Sequence, residues 1–134
     1  MTKKYIDNLT YSIIGCAIEV HKELGPGLLE SIYESCFIEE LIRKELPYQS
    51  QISVPLVYKG KVIGASLRLD VLVDNQIIVE LKAIESIQPI HLAQLVTYMK
   101  LLHKPKGVLI NFNCTNIFKE GQKTMVNELY SFLE

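Results

Sequence analysis

The chain has 134 residues, about half of them apolar and 22% charged, with a net charge of -1. That length suits one domain, residues 1–134, with a real core; the charge balance argues against a dedicated nucleic-acid coat but leaves room for a local basic rim. Cys16, Cys36 and Cys114 are odd in number and match no metal spacing, which predicts free thiols in a reducing, cytoplasmic setting. No stretch is apolar enough to predict a membrane span.

Lys3 and Lys4 precede an apolar segment, as in an export signal, but Glu19, His21 and Lys22 cut it short. It reads instead as an amphipathic helix capped by Thr10 and running to about Leu24, with Ile13, Ile14, Ala17, Ile18 and Leu24 as its apolar stripe. Gly25-Pro26 ends it, and His21 sits near the last turn, in a structural role. A second helix follows Gly27 and runs to about Arg43, with Leu29, Ile32, Cys36, Phe37 and Leu41 toward the core. Glu30 lies in its first turn, where free backbone N–H groups favour a carboxylate, and Glu30, Tyr33, Glu34 and Phe37 are surface neighbours at spacings of three and four.

Ile52, Val54, Leu56 and Tyr58 alternate as a strand, which Pro55 marks as an edge or a bulge. After the turn at Lys59-Gly60-Lys61, a strand runs from Val62 to Val73, with Ile63, Ala65, Leu67, Leu69, Val71 and Val73 as one continuous apolar face. Gly64, Ser66, Arg68 and Asp70 lie on the other. Asp74-Asn75-Gln76 then turns the chain into Ile77–Ala83. If Val73 pairs with Ile77 across three loop residues, Asp70 stands opposite Glu80 and Arg68 opposite Lys82. Two carboxylates at cross-strand distance repel, and a hard divalent cation taking one oxygen from each removes the conflict. A two-residue loop would separate them, and the same string also fits a solvated hairpin face with scattered charges.

Pro89 opens a helix ending near Leu102, with Leu92, Leu95, Val96, Met99 and Leu102 for packing and His91, Gln94, Tyr98 and Leu101 on an adjacent boundary face. Gly107–Asn113 is a strong strand, returned parallel to an earlier one by the helical crossover. From Cys114 to Lys123 no element is predicted, and Met125, Val126, Leu129, Tyr130 and Leu133 suit a short terminal helix or a surface meeting another copy.

The order of elements, with Asp70, then Glu80-Leu81-Lys82, then Gln94-x-x-x-Tyr98, resembles the PD-(D/E)XK nuclease superfamily. Gly27-Leu28-Leu29-Glu30-Ser31-Ile32-Tyr33 looks like the signature of its small bacterial GxxExxY family, as do Arg68-Leu69-Asp70, Val79-Glu80-Leu81-Lys82-Ala83, His91-Leu92-Ala93-Gln94-Leu95 and Leu109-Ile110-Asn111-Phe112. One departure is Leu69 where many relatives have proline before the aspartate. The resemblance implies a restriction-endonuclease-like α/β core: a mixed sheet flanked by helices, in αβββαβ order behind an extra N-terminal helix.

By the same resemblance the acidic pair is Asp70 and Glu80, the lysine is Lys82, the helical glutamate is Glu30, and Gln94 and Tyr98 are the trailing glutamine and tyrosine. The implied activity is phosphodiester hydrolysis with Mg²⁺, or Mn²⁺ in its place, held by Asp70, Glu80, the Leu81 carbonyl and Glu30. Arg68, Lys59 and Lys61 are the candidate nucleic-acid contacts, and DNA is the expected partner, with a homodimer or a larger protein partner as further expectations. The alternative is a non-catalytic nucleic-acid-binding or protein-interaction module that has kept the fold.

Overall fold

The computed structural model describes residues 1–134, with the side chains of all but Ala65 and Ser66. Helix α1 (Lys3–Leu24) begins well before Thr10: Thr2 is its cap, accepting the Tyr5 N–H, and the Thr10 hydroxyl instead donates to the Ile6 carbonyl inside the helix. The buried stripe is Ile6, Leu9, Ile13, Cys16, Ala17 and Val20, a 3-4 spacing that needs the earlier start. Helix α2 (Glu30–Arg43) buries Tyr33, Phe37 and Leu41, whereas Leu29 is 70% and Ile32 41% exposed. Tyr33 is therefore core rather than surface, because the Gly25–Leu29 connection rotates the first turn so that its ring stacks flat on Phe112, with centroids 4.4 Å apart. Such a pair adds about 0.5–1.5 kcal/mol to area burial.

The described residues form a five-stranded sheet in chain order: β1 (Tyr48–Tyr58), β2 (Lys61–Val73), β3 (Ile77–Lys82), β4 (Lys106–Asn111) and β5 (Gln122–Val126). All neighbours are antiparallel except β3 and β4, which α3 (Pro89–Leu102) connects as the expected parallel crossover. Strand β5 and the π-helical turn Ile117–Gly121 occupy a stretch for which the residue pattern predicts neither. Met125 and Val126 pair with β4, so only Glu128–Ser131 forms the terminal helix, α4.

Helices α1 and α2 cover one sheet face, over Val71, Val73, Val79, Leu81, Val108 and Ile110. Helix α3 covers the other with Leu95, Tyr98 and Met99, over Leu72, Ile78 and Leu109. All three cysteines are free thiols, and the His21 Nε2 lies 2.8 Å from the Cys114 carbonyl, a structural role.

The even alternation expected along β2 does not hold. Val71 and Val73 pack under α1 and α2, but Leu67 and Leu69, of the same parity, pack under α3. Strand β1 changes face in step: Tyr48 belongs to the first layer, Ile52 and Val54 to the second. The switch falls between the pairs Ser50↔Val71 and Ile52↔Leu69, where Gln51 takes a left-handed φ of 52° facing Asp70. A left-handed residue within a strand acts as a bulge, turning the following side chains over and tightening the twist. Both strands keep their register through it, so the hairpin rolls over as a unit at Asp70.

Candidate metal centre at the end of the β2–β3 ladder

The three-residue loop is present: Val73 pairs with Ile77, the Gln76 N–H returns to the Val73 carbonyl at 3.0 Å, and Asp74 and Asn75 take left-handed φ values of 51° and 56°. Aspartate and asparagine tolerate that region better than other side chains. The resulting register puts Asp70 opposite Glu80, as expected.

Regular pairing between β2 and β3 stops one step short of that position, at Val71↔Val79. Beyond it the carboxylates take over the ladder. The Leu81 N–H donates to Asp70 Oδ2 at 2.8 Å, and the Asp70 N–H donates to Glu80 Oε2 at 3.3 Å. Arg68 is consequently not paired with Lys82; it lies beyond the face switch, exposed, opposite Ser53 of β1.

Glu80 is 6% exposed. Burial above all, and then the adjoining Asp70 carboxyl, push its pKa up to about 9, against a smaller opposing pull from Lys82. In a strand, the amide and carbonyl of one residue point to the same edge, so the Leu81 carbonyl faces the gap that β2 has left. Lys82 follows two residues after Glu80, on the same sheet face and half-buried.

Helix α2 brings Glu30 to the rim. Its pKa is raised, mainly by burial and also by Asp70, while Lys82 and a hydrogen bond from the Ala83 backbone pull the other way. The loop before it is tied by Tyr33, whose hydroxyl donates to the Gly25 carbonyl at 2.5 Å and accepts the Leu28 N–H at 3.2 Å, with Gly27 at φ 104°. From α3, Tyr98 is 4% exposed, and its hydroxyl accepts from Gln94 Nε2 at 3.2 Å. Burial, then the charge of Glu80, raise the Tyr98 pKa.

Two further residues belong beside these. Glu34 has a raised pKa, first from burial and second from Asp70, and it accepts from Gln51 Nε2 at 2.8 Å. Its position four residues after Glu30 was the available signal, whereas nothing in the sequence marks Gln51.

Lys59 and Lys61 lie apart from this cluster. They flank the β1–β2 turn, nine strand residues from Asp70 in the case of Lys61, or about 30 Å at about 3.3 Å per residue. They do not supply positive potential at the acidic pair; Lys82 does, pulling down the pKa of both Glu80 and Glu30.

Two strands that separate at matched carboxylates, with a lysine next along the strand and a helix behind, place the molecule among restriction-endonuclease-like α/β folds. A family model of the PD-(D/E)XK nuclease superfamily matches residues 7–125, and the chain belongs to that superfamily. No curated protein and no solved structure matches it. Superfamily members are nucleases that generally depend on a divalent metal, and no helix here is long and apolar enough to cross a membrane.

The donor chemistry fits such an ion: a buried carboxyl whose ionisation is opposed by its neighbour, that neighbour, and a peptide carbonyl are all hard oxygens. Among the described residues no three His, Cys, Asp or Glu side chains form a ready-made cage. Glu30 stands near enough to the pair for Asp70 and Lys82 both to shift its pKa.

Proposed function

We propose that this chain hydrolyses phosphodiester bonds in DNA, using Mg²⁺, or Mn²⁺ in its place, held by Asp70, Glu80 and the Leu81 carbonyl, with Glu30 acting through water. When bound, the cation supplies charge neutralisation at the phosphate and lowers the pKa of a coordinated water. The chain's own residues do the rest. Lys82, on the face shared with Glu80, orients the attacking water and contacts a phosphate oxygen with its ammonium. Gln94 and Tyr98, joined by their hydrogen bond, hold the phosphate backbone from the α3 side. Arg68, exposed on the strand that carries Asp70, supports the flanking phosphate.

The observation that carries this reading is the substitution of carboxylates for backbone ladder at Asp70, Glu80 and Leu81. A buried glutamate opposed by an aspartate is costly to ionise without a cation, and ordinary sheet pairing would have avoided the arrangement. The GxxExxY reading gains support from the distinct tasks of its three named positions: Gly27 takes the left-handed φ, Glu30 reaches the rim, and Tyr33 ties the intervening loop.

The test is cleavage of single-stranded, duplex and branched DNA, and of RNA, with Mg²⁺ or Mn²⁺ titrated in. Activity on DNA that vanishes in folded Asp70→Ala and Lys82→Ala proteins is expected. Saturable DNA binding without turnover would instead favour the non-catalytic module, and the absence of both binding and cleavage would overturn the reading.

A further inference from the structure

The longest pairing in the sheet runs on past the core. Strands β1 and β2 run together from Tyr48↔Val73 to Tyr58↔Lys61, yet β3 pairs with β2 only over Val71–Val73. Residues 52–69 therefore form a two-stranded arm rooted at the acidic pair. Helix α3 covers its base through Ile52, Val54, Leu67 and Leu69. Its outer part is open: Val57 is 56%, Tyr58 61% and Val62 69% exposed.

Charge along this arm is one-sided. Between Glu45 and Asp70 the chain has no carboxylate side chain, but it carries Lys59, Lys61 and Arg68, in a protein whose net charge is -1. Lys59 and Gly60 both take left-handed φ values, 49° and 81°, in the two-residue turn that matches strand twist. That turn sets the Lys59 ammonium 5.5 Å from the Tyr58 ring and brings Lys61 directly across from Tyr58.

From these features we infer that the β1–β2 arm is a nucleic-acid-binding ribbon that follows the substrate duplex away from the cut, with Arg68 at the near phosphates and Lys59 and Lys61 at the far ones. A two-stranded ribbon is narrow enough to enter the major groove. Pairing with a second copy along the β1 edge is the competing use of the same surface, and the strand is poorly made for it. Pro55 lacks an N–H donor, the register shifts between Val54 and Leu56, and Gln51 breaks the extended backbone.

The geometry sets a length. About 30 Å from Asp70 to Lys61 corresponds to about nine base pairs at about 3.4 Å each. This inference rests on the nuclease reading for its ligand, and its test separates the two.

Binding of DNA duplexes of about 6 to about 20 base pairs is measured without divalent cations, by fluorescence anisotropy over a salt series, for the wild type and for Lys59→Ala/Lys61→Ala. Cleavage with Mg²⁺ is followed in parallel. Wild-type affinity should climb with length to about ten base pairs on one side of the site and then level off. The double variant should match the wild type on the shortest duplexes and bind the longest at least about fivefold more weakly. Its salt slope should fall by about 1.8, the value for two lost phosphate contacts. Lys59→Glu/Lys61→Glu should weaken the long duplexes further.

Identical length profiles and slopes in wild type and variants overturn the arm's role, and Asp70-dependent cleavage in that case leaves the nuclease reading standing. A wild type that neither binds nor cuts DNA overturns both. A change from dimer to monomer on sedimentation of the double variant, with DNA binding unaltered, assigns the tip to self-association and overturns the inference.

Discussion

Replacing Glu80 by glutamine in the metal-free protein should remove a steep dependence of stability on pH. The Glu80 carboxyl titrates near 9 in the folded chain, against an ordinary value of 4.5. The folded state thus binds this proton more tightly than the unfolded state. Stability from this group is fully present below the ordinary value and is lost as pH rises toward 9. Each unit of difference is worth about 1.36 kcal/mol, so the 3 units between pH 5 and pH 8 correspond to about 4 kcal/mol, a large share of a small domain's stability. Urea unfolding in the presence of a chelator, at pH 5 and pH 8, measures it. The wild type should lose about 4 kcal/mol more than Glu80→Gln over that interval, and saturating Mg²⁺ at pH 8 should restore most of the loss. Equal pH dependence in the two proteins would refute the claim that Glu80 is buried against Asp70 at the cost of its ionisation.

Tyr33→Phe should keep the ring stacked on Phe112 but release the Gly25 carbonyl and the Leu28 N–H, costing about 1 kcal/mol in urea unfolding and lowering cleavage through a loosened Glu30. At the other end of the sheet, the nearly buried Lys106 ammonium bonds Asp7 at 2.9 Å, and the Tyr130 hydroxyl donates to the same carboxylate. The hydrogen bond from Lys106, above all, holds the Asp7 pKa below its ordinary range. Its stabilisation is therefore present above that range and lost as pH falls through the lowered value. Asp7→Asn should flatten this acid limb and cost about 1–3 kcal/mol near neutrality, measured by chemical unfolding, since Asp7 is half exposed and the lysine is not.

Much of the candidate site's geometry is legible in the sequence because it depends on local chemistry. Asp74 and Asn75 announce a turn with left-handed residues, and that turn alone fixes which carboxylates meet. Pro89 marked the start of α3, and the apolar run before Asn111 marked a buried parallel strand. What stayed hidden depends on non-local contacts. Thr10 has the chemistry of a cap, and only the packing of Ile6 and Leu9 against the sheet extends α1 past it. Tyr33 has a polar tip suited to the surface, but its hydroxyl finds backbone partners in a loop five to eight residues away. The roll of the hairpin at Gln51 and Asp70 leaves no mark on the residue pattern, because apolar side chains continue at every second position through it. Strand β5 is polar and half-exposed, and it exists because β4 offers it an edge.

The proposed chemistry depends on Asp70 and Glu80 sharing one cation. Calorimetric titration of Mg²⁺ into the wild type and into Asp70→Asn, with DNA cleavage followed in the same samples, tests this most directly. The wild type should bind and cut, while the folded variant should lose at least about tenfold in Mg²⁺ affinity and lose its cleavage. Unchanged Mg²⁺ affinity and undiminished cleavage in Asp70→Asn would contradict it.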